Sequence, residues 1–225
     1  MDQTSQHPLN PRLWLPDDTP PEGQRAALHR LAAALRRTIS ALMESNAPED
    51  ELNAAAEAAE RFAASLEAGP QGRAHWGYAE SSISGNPSAF LDNSPVIGLG
   101  NPVAPPLKMT VVEGGVEGRV TFGIQYEGPP GHVHGGFVAA AFDDVLGMVQ
   151  STTGNPGMTG TLTVRYRRPT PLYREVCFRG RLVRVEGRKI FTEGKLFDGD
   201  TLCAEAEAVF ISVGRERFEK MAEER

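Results

Sequence analysis

Apolar residues first recur at helical spacing. Leu28, Leu31, Leu35, Ile39 and Leu42 follow the three- and four-residue steps of one helix face. After a break, "APEDELNAAAEAAERFAASLEAG" repeats the Ala/Leu/Glu bias. The pattern predicts a helical hairpin over residues 20–68. Asn46 or a neighbour is expected to cap the second helix, Pro48 suits its first turn, and Glu49, Asp50 and Glu51 suit the positive end of its dipole. Residues 69–106 lose all periodicity to Pro, Gly and Ser and are expected to be an ordered, wrapping loop. From Leu107 the rhythm becomes alternating. "LKMTVVEG" and "GRVTFGIQ" read as strands parted by the hairpin signal "EGGVEG". A helix follows over about Gly135 to Gln150. Then come "TGTLTVRYRRP", "EVCFRGRLVRVEG", "KIFTEGKLFDGD" and "LCAEAEAVFISVG", the last three joined as hairpins and so antiparallel. Two strands, one long helix and four strands predict an α+β fold, an antiparallel sheet wrapped around one central helix. The divisions are 1–68, 69–106, 107–213 and a charged, solvated tail over 214–225.

Charge narrows the partners. The formal net charge is -6, with 29 acidic against 23 basic residues, so no general attraction for nucleic acid or anionic membrane is expected. Any basic patch must be local. The two cysteines, Cys177 and Cys203, lie outside CxxC or Cys/His spacing; neither a disulfide framework nor a zinc knuckle is implied, and a reducing compartment is expected. The first residues lack a basic segment followed by an apolar one, and no apolar run approaches the ~20 residues of a membrane span. A soluble, cytoplasmic protein is the expectation.

The chemistry concentrates in "PPGHVHGGFVAAAFDDVLG". Taken singly, the glycines permit a tight strand-to-helix turn, the histidines suit a surface and the aspartates a polar face. Taken together they form a pattern. On a helix Gly136, Ala139, Ala140, Asp143 and Gly147 share one stripe of small residues with one carboxylate, while Asp144 falls on the neighbouring stripe with Phe137, Ala141 and Met148. The helix begins at the glycines, where unpaired N–H groups and the positive dipole end converge, able to stabilise an oxyanion. Asp143 is the candidate nucleophile or general base. Gly135 and Asp143, however, stand ~12 Å apart along one helix at ~1.5 Å per residue. One helix cannot serve both ends of a single carbonyl. Two copies antiparallel across a two-fold axis can, which predicts a homodimer with composite sites.

The helix opening "HGGFVAAAFD", with "TGTLTVRYRRPTPL" on the next strand, resembles the hotdog-fold acyl-CoA thioesterases of the PaaI type. The resemblance runs over roughly Leu107 to Val213, with a weaker echo in "SPVIGLGNPVAPP". It implies that His134 orients and polarises the thioester carbonyl, Gly135 supplies the backbone oxyanion donor, Asp143 is the catalytic carboxylate and Thr159 assists attack. It implies dimers, often paired into tetramers, and no cofactor beyond the coenzyme A of the substrate. The N-terminal hairpin departs from the minimal family pattern.

Coenzyme A carries phosphates, and two clusters suit them. "RYRRP" sets Arg165 and Arg167 on one strand face and Arg168 on the other, and "EGRK" puts Arg188 and Lys189 at a hairpin turn. The resemblance points to the second loop, while Gly136 lets substrate approach the helix backbone closely. A non-catalytic acyl-CoA binding or sensing protein is the alternative reading, in which Asp143 is incidental. Hydratase chemistry on the same fold is a further possibility. His132 and His134 as metal ligands form a third, but HxH alone specifies little and no later ligand stands at evident spacing. No metal is expected.

Overall fold

The computed structural model describes residues 20–70, 91–155 and 157–213. Expectations for the first residues, for most of the wrapping loop and for the tail from 214 lie outside the described residues. The elements in chain order are α1 (Gly23–Glu44), α2 (Glu49–Glu67), β1 (Lys108–Val112), β2 (Gly115–Thr121), a 3-10 turn η1 (Ile124–Tyr126), α3 (Gly135–Ser151), β3 (Gly157–Tyr166), β4 (Glu175–Glu186), β5 (Lys189–Asp198) and β6 (Thr201–Ser212). The six strands form one sheet in the order β1-β2-β4-β5-β6-β3, with every neighbouring pair antiparallel. The expected α+β plan of a sheet around a central helix is the observed one, a hotdog fold.

The sheet holds α3 closely because its inner face is notched with glycine. Gly180 of β4 lies directly opposite Gly194 of β5. A Cβ on Gly180 would meet Val149 Cγ2 at 2.9 Å and Val145 Cγ1 at 3.1 Å; one on Gly194 would meet Leu146 Cδ2 at 3.1 Å and Phe142 Cε1 at 3.2 Å. Gly118 of β2 continues the trough, with Val145 Cγ2 at 2.9 Å from its Cβ position. Into that trough α3 lowers Val138, Ala141, Phe142, Val145, Leu146 and Val149, all buried. Phe142 meets Phe178 of β4 edge to face at 4.9 Å, a favoured aromatic geometry. Such a core is dry and dense, so the position of α3 is set by packing.

The outer face of the sheet is polar. Cross-strand pairs such as Arg165–Glu207, Arg167–Glu205, Arg179–Glu117 and Arg181–Glu193 run along it. Exposed pairs of this kind add little stability each. The hairpin turns between β4 and β5 and between β5 and β6 carry Gly187 and Gly199 at φ +58° and +56°, a conformation that disfavours residues with a Cβ.

Two sequence expectations need adjustment. The second strand begins at Gly115 and ends at Thr121, earlier than the alternation of "GRVTFGIQ" suggests, because the chain turns into η1 at Ile124. Pro48 precedes the first turn of α2 as its N-cap, with no side-chain cap on the helix; Ser45 Oγ instead accepts from Ala47 N. Both N-terminal helices are present, but α2 is exposed along its whole length and buries no residue. By contrast α1 is anchored. Arg25 donates to both carboxylate oxygens of Asp92, at 2.6 and 3.2 Å. His29 Nε2 lies 2.8 Å from Asp92 Oδ1, not aligned as a hydrogen bond. Arg36 donates to the carbonyls of Leu99 and Asn101, and Ser40 Oγ to Gln125 Oε1.

Candidate active site

The turn before α3 is clamped from two sides. His134 N donates to Tyr126 O at 2.8 Å and Val133 N to Thr170 O at 2.8 Å. A Cβ on Gly128 would stand 2.7 Å from His134 Cα, so glycine there lets the two backbones touch. Tyr126 closes the back of the turn, edge to face with Phe122 and Phe137. Its hydroxyl donates to Val103 O at 3.0 Å, and burial pushes its pKa above the ordinary phenol value, which keeps it a donor.

His134 is the N-cap of α3. Its Nδ1 accepts from Gly136 N at 3.0 Å, satisfying one of the donors a helix start leaves over. That bond has a tautomeric consequence. A neutral imidazole accepting at Nδ1 carries its proton on Nε2, so exposed His134 presents an N–H donor outward. The Gly135 N–H has no protein acceptor among the described residues. Two unused donors, the Gly135 N–H and His134 Nε2–H, therefore belong to the positive end of the helix.

On α3 the small-residue stripe predicted from spacing is the incompletely buried one. Gly136 is exposed and Ala139, Ala140, Asp143 and Gly147 are half-buried, whereas Ala141, Val145, Leu146 and Met148 are buried. The Asp143 carboxylate accepts from Thr159 Oγ1 at 2.8 Å. Simple alternation places Thr159 with Thr161 and Thr163 on the outer face. The pairing of β3 with β6 shifts register between Thr159 and Thr161, an irregularity at Gly160 that re-aims the preceding side chain. Thr159 thus stands opposite inward-facing Phe210 and meets Asp143. Asp144 turns the other way, toward Ser94 Oγ at 3.4 Å. Ser94 is buried and also accepts from Val96 N and Ile97 N, so Asp144 pins the 91–107 segment to the helix.

The basic residues divide. Arg165 and Arg167 share the outer face and are held by Glu207 and Glu205. Arg168 is exposed, its backbone N–H on Cys203 O at 2.9 Å. Arg188 sits at the β4–β5 turn with its Nε on Ser212 O at 3.0 Å, and Lys189 beside it is exposed. His132 Nδ1 lies 2.8 Å from Pro130 O. Among the described residues no cluster of three or more His, Cys, Asp or Glu side chains suits a metal ion, and no helix is long and apolar enough to cross a membrane.

Sequence reasoning passed over Tyr166. Its hydroxyl donates to Gly135 O at 2.7 Å, and a Cβ on Gly135 would meet its ring at 3.2 Å. The signal was available: alternation from Leu162 and Val164 aims Tyr166 inward, toward the helix.

Comparison with known proteins agrees with this architecture. A family model described as the thioesterase superfamily matches residues 130–209. Acyl-coenzyme A thioesterase THEM4 of Mus musculus is 36% identical over 97 residues, 42% of this chain and 42% of that protein. The Xenopus laevis THEM4 is 38% identical over 89 residues, 39% of this chain and 40% of that protein. The chain spans less than half the length of these curated relatives. A solved structure described as a thioesterase superfamily protein is 35% identical, with a TM-score of 0.73 over 86% of this chain and 97% of its own. At 35% identity over 97% of that structure, and with the thioesterase superfamily model matching residues 130–209, the chain belongs to the thioesterase superfamily.

Proposed function

We propose that the protein is an acyl-CoA thioesterase, hydrolysing a thioester to a free acid and coenzyme A, with 107–213 as its catalytic unit. The observation that carries this is the half-buried Asp143 carboxylate, hydrogen-bonded by Thr159 on the open stripe of the helix whose first turn presents Gly135 N–H and His134 Nε2–H. The thioester carbonyl oxygen lies against those two donors, where the charge that develops in the tetrahedral intermediate is stabilised. Asp143 attacks the carbonyl carbon directly, or takes a proton from a water that does so. The C–S bond then breaks, and the coenzyme A thiolate leaves and is protonated by solvent. Direct attack leaves an acyl-aspartyl anhydride, which one water hydrolyses to the free acid and the regenerated carboxylate.

The edge strand supports a composite site. β3 is paired on one side only. Tyr166 at its end touches Gly135, and Thr159 near its start touches Asp143. Two β3 edges joined antiparallel about a two-fold axis bring Asp143 of one protomer to the donor turn of its partner, overcoming the ~12 Å separation within one helix. This geometry supports a homodimer; the pairing of dimers into a tetramer is what the family resemblance implies. Arg168, Arg188 and Lys189 are the cations proposed for the coenzyme A phosphates, with Arg165 drawn on only if it leaves Glu207. Gly136, bare of side chain, leaves room for the substrate beside the turn.

Thiol release from a panel of acyl-CoAs tests the proposal. Wild type is expected to turn over and Asp143→Asn to lose about 100-fold or more. Unchanged turnover in the variant overturns the mechanism, and tight binding without turnover in wild type selects the sensing alternative.

A further inference from the structure

We infer that Tyr166 is the positioning residue of the donor turn, an inference that rests on the thioesterase reading above. The peptide linking Gly135 to Gly136 is gripped at both ends. Its carbonyl oxygen accepts from Tyr166 Oη at 2.7 Å, and its N–H donates to His134 Nδ1 at 3.0 Å. A peptide pinned at oxygen and hydrogen cannot rotate about its flanking bonds. The Gly135 N–H belongs to the preceding peptide, and pinning the next one restrains the φ and ψ of Gly135 that set its direction. The imidazole is restrained too, because the Gly136 N–H holds His134 in the tautomer that carries its proton on Nε2. Polarisation adds to the geometry. A hydrogen bond to a peptide oxygen strengthens the N–H of that peptide as a donor, which tightens its bond to His134.

Tyr166 also explains the first glycine of the pair. Gly135 does not have a left-handed backbone, so backbone conformation does not require glycine there. The ring does. A Cβ at Gly135 would come within 3.2 Å of both Tyr166 Cζ and Oη, and would push the ring off the carbonyl. Glycine at 135 and tyrosine at 166 therefore form one device. Tyr166 is itself the last residue of the edge strand, so the device ties the donor turn to the strand that would align it with the partner's carboxylate. Tyr166 touches no reacting atom and acts only through the turn.

The test is Tyr166→Phe, which keeps the ring and removes the hydroxyl. In thiol-release kinetics kcat is expected to fall about tenfold, the loss of one hydrogen bond, with KM within about twofold and the melting temperature unchanged. Amide exchange at Gly136, read by NMR without substrate, is expected to accelerate in the same variant. Unchanged kcat, or a kcat loss that tracks a fall in melting temperature, overturns the inference. If wild type releases no thiol from any acyl-CoA, the thioesterase reading fails; the Gly136 exchange then decides the positioning role alone, and unchanged exchange overturns it. A further check is Gly135→Ala, whose loss of activity should be partly relieved by Tyr166→Ala in the same chain. No relief in the double variant also counts against the device.

Discussion

Gly180→Ala probes whether glycine in the sheet sets the seat of α3. The added methyl would stand 2.9 Å from Val149 Cγ2, 3.1 Å from Val145 Cγ1 and 3.3 Å from Leu146 Cδ2. All three belong to buried residues of α3, and protein interiors are packed closely enough that such an overlap is felt. Overfilling such a core costs about 1–3 kcal/mol. Replacing glycine restricts the unfolded chain and returns about 0.4–1 kcal/mol. At the midpoints of the two ranges the net expectation is a loss of about 1.3 kcal/mol, which at ~2–4 °C per kcal/mol for a chain of this size lowers the melting temperature by about 3–5 °C. Thermal unfolding followed by circular dichroism reads it, with Phe62→Ala on exposed α2 as the control, expected within about 0.5 kcal/mol of wild type. A Gly180→Ala protein as stable as wild type, or a Phe62→Ala protein equally damaged, would refute the trough as the determinant of helix position.

Two further outcomes follow from contacts on either side of that helix. Thr159→Val removes the donor to Asp143 and keeps the shape; thiol release should fall about tenfold, one hydrogen bond's worth, while stability stays within about 0.5 kcal/mol, and an unchanged rate would disconnect Thr159 from the chemistry. Asp92→Ala leaves Arg25 and His29 without their buried carboxylate. Since Arg25 is 26% exposed and water can partly resolvate it, a loss of about 1–3 kcal/mol is expected, below the full penalty for a broken buried pair. Hydrogen exchange should quicken in α1 before it does in the sheet, and uniform exchange changes would contradict a local anchor.

Much of the fold was legible because patterning and packing agreed. Alternation and Gly-containing turns marked β4, β5 and β6, and the Gly/Ala stripe marked the open side of α3, since a half-buried helix must show its small residues somewhere. Other features were hidden for identifiable reasons. The inward turn of Thr159 comes from an irregularity at Gly160, and alternation counts every residue once; only the family resemblance pointed to it. The exposure of α2 is invisible to periodicity, which reports an apolar stripe whether or not anything covers it. The hold of Asp92 on Arg25 and His29 joins residues more than sixty positions apart, beyond any local signal. Tyr166 was legible by alternation but stood among three arginines whose charge drew attention first.

The adjacent aspartates carry a consequence for how the chain can change. Asp143 is tied to the edge strand β3 through Thr159, and Asp144 to the 91–107 segment through Ser94. They act as two stays on one mast. Because each residue turns an α-helix by about 100°, inserting or deleting a single residue between the glycines and the aspartates would swing both stays off their posts and lift the apolar side chains from the trough together. A change in length is therefore expected to cost far less at the surface hairpins than between Gly135 and Asp144.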